Sequence, residues 1–508
     1  MKILLINSNR FKQPWPVVPF GLCCVAASLE KANHSVEVLD LCFSKNCRKD
    51  IKKAIDYFNP DIIGISIRNI DIGSCFNSIF LLDNTKKEVV AHCKEFFQAP
   101  IVIGGPAVGI SGPEMLDFFD LEYAVCGDGE VAMVEFANRI ERKSPLEGLH
   151  GLIIRKNGKI IQEPSPFMVS DLDTLPIPRV NKYIDVQKYA RFDSPIQIQA
   201  KRGCALRCLY CVYNKIEGRD YRFRSPNIIA DEIEILVKET GINHIEFTDS
   251  AFNVPIDHAK NVLKAIIRKK LNLRLRTLGL NPGAVDEELV DLMKEAGFEE
   301  VDLSAESLCD ETLKGLGKNY VKSDVIRAGR LLSEKNIFIT WYFLLGAPNE
   351  TEQSLKETIN SAVDTAFGRD LINFCIGIRL YKGSPLADEA YKENPSITKD
   401  NFLHLVRLEP DKISLQEIRQ HVKRLSFRYA NIYVNDEDET TPAFVLMLGT
   451  KLFKIFGIKR PVWTWFIILR KIETALGIRA VKKWVWERKN KKFPKPLLKR
   501  EAGQAQVR

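Results

Sequence analysis

The chain opens on a short apolar run, Lys2–Asn7, and similar runs recur at His34–Asp40, Asp61–Ile67, Pro100–Gly104 and Tyr123–Cys126. Between them lie Gly21–Lys31, Lys49–Phe58, Val89–Phe97 and Glu130–Arg142, whose apolar residues return every three or four positions. The short runs read as strands buried on both faces, and the 3.6-residue period reads as helix. Their alternation predicts a doubly wound parallel sheet, Rossmann-like, over residues 1–145. Ligands of such sheets sit at the carboxyl ends of the strands, which are the loops Asn7–Gly21, Ser66–Asp71, Gly104–Gly109 and Cys126–Glu130. Two of these are glycine-rich, allowing close backbone approach to a ligand, although glycine also serves turns everywhere.

Residues 146–194 read as a linker. It holds a predicted hairpin at Leu152–Gln162, turning on Lys156-Asn-Gly158, and a proline-punctuated stretch at Asp171–Pro178. From 195 to 400 the alternation resumes. Strands are predicted at Ile196–Ala200, His244–Thr248, Arg274–Leu278, Glu300–Leu303, Ile337–Leu344 and Asn373–Leu380. Helices are predicted between them at Asn227–Thr240, Ile256–Lys269, Glu287–Ala296, Asp310–Gly315, Lys322–Lys335 and Thr351–Thr365. Six such units predict a partial (β/α)6 barrel of the TIM type, with its chemistry at the carboxyl ends of the strands.

Residues 401–508 read as a helical region: a helix at Ser414–Tyr433, an acidic boundary at Asn435–Glu439, then Phe444–Phe456, Pro461–Leu469 and Ile472–Trp486. Charge separates this region from the rest. Residues 451–508 hold 17 Lys and Arg against 3 Asp and Glu, whereas residues 1–450 hold 57 against 62, so the overall +9 belongs to the tail. Four of the six tryptophans, Trp463, Trp465, Trp484 and Trp486, lie there as well. No uncharged run reaches the roughly 18–20 residues that span a bilayer. The composition suits helices lying in a membrane interface, or a helical domain packed on the barrel with a solvated basic face; nucleic acid is the least favoured partner. The length allows two or three domains. Met1–Asn7 has no secretory n-region, so a cytoplasmic setting is expected, with membrane association through the tail as an option.

The candidate chemistry begins at Cys204-Ala-Leu-Arg-Cys208-Leu-Tyr-Cys211, directly after the first barrel strand. Three thiolates on one short loop can hold a [4Fe–4S] cluster and leave one iron open, since such clusters usually take four cysteines. A structural zinc site would want a fourth Cys or His close by, and none lies between Gly203 and Ile242. The other nine cysteines are scattered through apolar runs and read as small hydrophobes.

The CxxxCxxC frame with Tyr210 before the last cysteine resembles the signature of the radical S-adenosylmethionine (SAM) superfamily. The N-terminal series Val18–Leu22, Ala26–Glu30, His34–Asp40, Asp61–Ser66, Ile103–Pro106 and Gly127–Glu130 resembles the cobalamin (B12)-binding domain that precedes many of its members. The histidine motif that ligates cobalt elsewhere is absent. The resemblance implies SAM capping the open iron, with cobalamin held against Ser66, Gly104, Gly105, Gly127, Gly129 and Glu130. A domain used only for packing or substrate contact is the plainer reading. Asp249 lies where the family binds the SAM amino group, and a capping aspartate is the alternative. Ser304-Ala-Glu306-Ser307 resembles the family's Gly-x-Glu-Ser stretch and assigns Glu306 and Ser307 to the SAM ribose and methionine ends. Gly346 would let adenine approach the backbone. The arginines of Glu217–Arg224 face anionic groups or form a solvated turn.

The implied reaction is reductive cleavage of SAM to methionine and a 5′-deoxyadenosyl radical that abstracts hydrogen from an unactivated carbon. Methylation of a hydrophobic or lipid-type metabolite is the favoured outcome. The alternatives are ring rearrangement or cyclisation without methyl transfer, and a non-catalytic iron–sulfur sensor. The expected partners are a small-molecule substrate and an electron donor such as flavodoxin or ferredoxin.

Overall fold

A computed structural model describes residues 1–162, 166–393, 403–434, 448–449, 451–453, 455–456, 460–490 and 506–507. The acidic boundary Asn435–Glu439 and much of Phe444–Phe456 lie outside the described residues.

In the N-terminal unit β1 (Lys2–Asn7), β2 (Ser35–Asp40), β3 (Ile62–Ser66), β4 (Ile101–Gly104) and β5 (Tyr123–Val125) run parallel in the order β2-β1-β3-β4-β5. Side chains alternate across a strand, so Ile3 and Leu5 of β1 enter one apolar cluster with Leu22 and Phe136, while Leu4 and Ile6 enter another with Ile51 and Met115. Both faces are thereby covered by helices, as the unbroken apolar runs predict.

The hairpin forms where expected, as β6 (Leu152–Lys156) and β7 (Lys159–Gln162), with Asn157 and Gly158 at φ 52 and 70°. It is not linker. β6 pairs antiparallel with β5 and buries Leu152, Ile153 and Ile154, covering what would be an open sheet edge, so the unit extends past residue 145 to Gln162. A helix over Pro106–Phe119 also replaces part of the expected Gly104–Gly109 loop. Pro106 suits a first helical position, and Pro113 accompanies a kink at Ser111 that hides the helical period.

The second unit is an all-parallel sheet in which β8 (Ile196–Ile198) forms one edge. A two-residue antiparallel pair, β9 (Lys201–Arg202) with β10 (Arg222–Phe223), brackets the cysteine loop. There follow β11 (His244–Phe247), β12 (Arg274–Leu280), β13 (Phe298–Glu306), β14 (Phe338–Leu345) and β15 (Leu371–Ile376), each parallel to the one before. The short β16 (Ile378–Arg379) and β17 (Arg407–Leu408) pair antiparallel beyond β15. Finally β18 (Ile432–Val434) adds a seventh strand beside β15. That strand lies inside the region expected to be helical beyond residue 400; three residues are too short to show a period of two. The helices are stopped by their own chemistry: Thr351 and Ser354 cap Glu352–Thr365, and Gly241 and Gly297 in left-handed conformation end Pro226–Thr240 and Glu287–Ala296.

On β13 the alternation sorts chemistry from packing. Val301, Leu303 and Ala305 join the apolar core, and Glu300, Asp302, Ser304 and Glu306 point the other way, into the barrel. The tail begins by packing on the same barrel: the Trp463 indole donates to Glu300 Oε2 at 2.7 Å, and its ring meets Phe338 edge-on. Among the described residues no helix is long and apolar enough to cross a membrane.

Candidate active site between the two units

The cysteine loop is held by backbone. Gly203 enters it at φ 90°, where a Cβ would stand 2.0 Å from the Asp220 carbonyl. The Cys204 amide donates to the Gly218 carbonyl at 3.0 Å, and the Leu209 amide to the Leu316 carbonyl at 3.0 Å. Cys204 is buried, and Cys208 and Cys211 are half-buried. Burial pushes the Cys211 thiol up to about 11 against a hydrogen bond from the Tyr213 amide, with smaller repulsion from Cys208 and Cys204. Cys204 is raised by burial and by Cys208 in the same way. Three thiols thus share one short loop, although among the described residues no group of three or more His, Cys, Asp or Glu side chains is already arranged to hold a metal ion.

Glu306, the final residue of β13, sits at φ 57°, a strained conformation for a non-glycine residue. It accepts a hydrogen bond from the Tyr210 hydroxyl at 2.8 Å and from Lys318 Nζ at 3.0 Å, and Lys318 also donates to the Tyr210 oxygen at 2.8 Å. Burial works against the charge on Lys318, but the Glu306 carboxylate outweighs it and holds the ammonium form. Glu306 therefore stands against the cluster loop, tied to it through Tyr210.

The other residues assigned to SAM are engaged otherwise. The Ser307 hydroxyl lies 2.7 Å from Thr358 Oγ1 and accepts from the Cys309 amide at 3.1 Å, fully buried. Asp249 accepts the amides of Ala200 at 3.1 Å and Lys201 at 2.6 Å, so it anchors the strand end that launches the cysteine loop. The Ser304 carbonyl accepts the Tyr320 hydroxyl at 2.5 Å. Gly346, at φ 95°, donates its amide to buried Glu350 at 2.5 Å, joined by Ala347 at 3.2 Å. Burial raises Glu350 to about 7 against the pull of those two amides.

A cavity of about 380 Å³ lies between the units. Ser66, Gly104, Gly105, Gly127, Gly129 and Glu130 all line it, at the carboxyl ends of β3, β4 and β5; Gln197, Gln199, Thr248 and Leu278 line it from the barrel. The glycines differ in what requires them. A Cβ on Gly105 would stand 2.7 Å from the Ile67 carbonyl and one on Gly127 2.3 Å from the Phe167 carbonyl, so the turns themselves demand those two. A Cβ on Gly104 would meet only the Val125 carbonyl at 3.7 Å, leaving its face open to the cavity.

Sequence reasoning missed two donors here. The amide nitrogen of buried Asn9 has no hydrogen-bond partner. Arg68 is exposed and lines the cavity, and desolvation by the surrounding protein lowers its pKa against the attraction of Tyr213 and Glu246. Both donors suit an amide- and phosphate-rich ligand.

Glu130 does not face that ligand alone. Its carboxylate takes Arg202 at 2.5 Å, while Asp128 takes Arg202 at 2.9 Å and also pairs with Arg222. Arg224 pairs with Glu232 at 2.5 Å. Of the arginines of Glu217–Arg224, Arg222 thus closes the seam between the units and Arg224 fixes the strand behind it, while Arg219 is exposed. Arg202 stands two residues before Cys204, a position that could have flagged it.

Residues 198–362 match the Radical SAM superfamily, and residues 12–137 match the B12 binding domain. The chain belongs to the cobalamin-binding radical SAM superfamily. An uncharacterised methyltransferase of Pyrococcus horikoshii is 27% identical over 418 residues, 81% of this chain and 87% of its own. The anaerobic magnesium-protoporphyrin IX monomethyl ester cyclase of Rubrivivax gelatinosus is 23% identical, covering 86% and 78%. The structure of the radical SAM methyltransferase TsrM from Kitasatospora setae, bound to tryptophan and a SAM analogue, superposes with a TM-score of 0.80 at 24% identity, covering 93% of this chain and 99% of that one. The chain is accordingly a radical SAM enzyme with a [4Fe–4S] cluster, SAM and cobalamin as its cofactors; of the groups described above, Arg68, Asn9 and the open Gly104 face suit the last of these. When bound, these supply one-electron cleavage of SAM and a methyl group carried on cobalt.

Proposed function

We propose that this enzyme methylates a carbon of a small organic substrate held where the cavity meets the barrel mouth. The observation that carries the reading is the single cavity wall shared by the sheet loops and by Gln197, Gln199, Thr248 and Leu278 of the barrel. A substrate there has Tyr213, Ile216 and Glu217, just past the cysteine loop, on one side and the sheet loops on the other. The chain's own residues position and shield. Cys204, Cys208 and Cys211 hold the cluster. Tyr210, Glu306 and Lys318 join the cluster loop to the SAM-facing strand end, and Asp249 fixes the strand before it. Arg68 and Asn9 would donate to the corrin periphery, and the Gly104 face would let the macrocycle lie close. A hydrophobic acceptor suits Val17, Val18, Phe20 and Leu278, which line the same space. A flavodoxin- or ferredoxin-type donor supplies the electron.

The test uses anaerobically reconstituted enzyme, cobalamin, reductant and SAM labelled in its methyl group. Label recovered with the bound corrinoid, and then in a small molecule from cell extract, is the expected result. Formation of 5′-deoxyadenosine with label in neither pool would replace methyl transfer by the rearrangement or cyclisation that the cyclase relative suggests.

A further inference from the structure

We propose that the C-terminal helical hairpin docks this enzyme on the surface of an anionic lipid bilayer, lying in the interface without crossing it. The hairpin consists of helices Trp463–Ala475 and Ile478–Asn490, broken at Gly477, which has a φ of 71°. The first helix is anchored, burying Trp463, Thr464 and Ile467 against the barrel. The second carries Ile478, Val481, Trp484 and Val485 at helical spacing, and all four are exposed, Val481 by 61% and Trp484 by 52%. Leu476, 69% exposed, and Ile472 continue the stripe across the turn. Single exposed apolar residues are ordinary, but a contiguous stripe marks an interaction surface.

Charge identifies the occupant. Lys471, Lys482, Lys483 and Arg488 belong to the same hairpin, and Arg488 stacks on the Trp484 ring at 3.9 Å. The 17 basic against 3 acidic residues of 451–508 would repel the same region of a second copy. A nucleic acid would use the charge and leave the stripe in water. An anionic bilayer takes both, with apolar side chains at the acyl boundary and cations among the headgroups. The inference is independent of methyl transfer, since docking needs no turnover.

The test is co-sedimentation of the full-length, cluster-loaded protein with vesicles of phosphatidylcholine containing phosphatidylglycerol, against vesicles of phosphatidylcholine alone. Binding is expected only to the first and is expected to weaken with salt. The double substitution Val481→Glu with Trp484→Glu, at positions exposed in the fold, is expected to lower partitioning by roughly tenfold or more while leaving iron and cobalamin content unchanged. Brominated acyl chains are expected to quench the wild-type tryptophan fluorescence more than that of Trp484→Phe. Protein that stays in the supernatant at every phosphatidylglycerol content overturns the proposal. So does binding that the double substitution leaves intact, or a dimer, stable without lipid, that the same substitution dissociates.

Discussion

Lys318 shows how much of this site rests on single buried side chains. Its ammonium is the cationic partner of Glu306, and both side chains are buried. Lys318→Met leaves that carboxylate without its cation, and a stability loss of about 3–5 kcal/mol is expected in urea unfolding, because an orphaned buried charge costs more than the pair contributes. Glu350 makes a second case. Its carboxyl is raised in the fold from 4.5 to about 7 by burial, so between those values the native state holds a proton that the unfolded chain has released. Its contribution is fully present below about pH 4.5 and is lost as pH rises toward 7. Glu350→Gln is expected to flatten that part of the stability profile, as read by unfolding at successive pH values. Neither partnership was legible in the sequence. Lys318 stands 108 residues from Tyr210, and nothing local distinguishes it from a surface lysine.

Among the elements, the turns separate into those the fold needs and those the ligand needs. Gly104→Ala is expected to leave unfolding unchanged and reduce cobalamin retention, because only open cavity meets the added methyl group. Gly105→Ala, which would clash with the Ile67 carbonyl at φ 101°, is expected to destabilise the fold by about 1–3 kcal/mol. Cobalamin absorbance and thermal unfolding of the two variants distinguish the cases. Most elements were readable from periodicity. Glu287–Ala296 and Asp310–Gly315 match their predicted spans, because long apolar periods and capping residues are local signals. The element that escaped has a tertiary reason, since β18 exists to extend a sheet; the β6–β7 hairpin was readable from its turn, and only its pairing with the sheet edge was not.

For the molecule as a whole, the seam matters most. Arg202 joins Asp128 and Glu130 of the sheet unit to the strand that launches the cysteine loop, so the corrin-side loops and the cluster are mechanically one body. Arg202→Met is expected to cost about 3–5 kcal/mol by leaving two buried carboxylates short of a cation, and to lower cobalamin and iron content together. The order of the two units and the cysteine motif were legible in the sequence; their mutual placement was not, because ion pairs across a seam leave no periodic trace. The most direct measurement of that placement is cobalamin stoichiometry by absorbance after anaerobic purification with cobalamin supplied. The expected result is about one corrinoid per cluster-loaded chain, falling when Gly104 gains a side chain. Protein that binds none at saturating supply, while its cluster is intact, would contradict a cavity built for cobalamin.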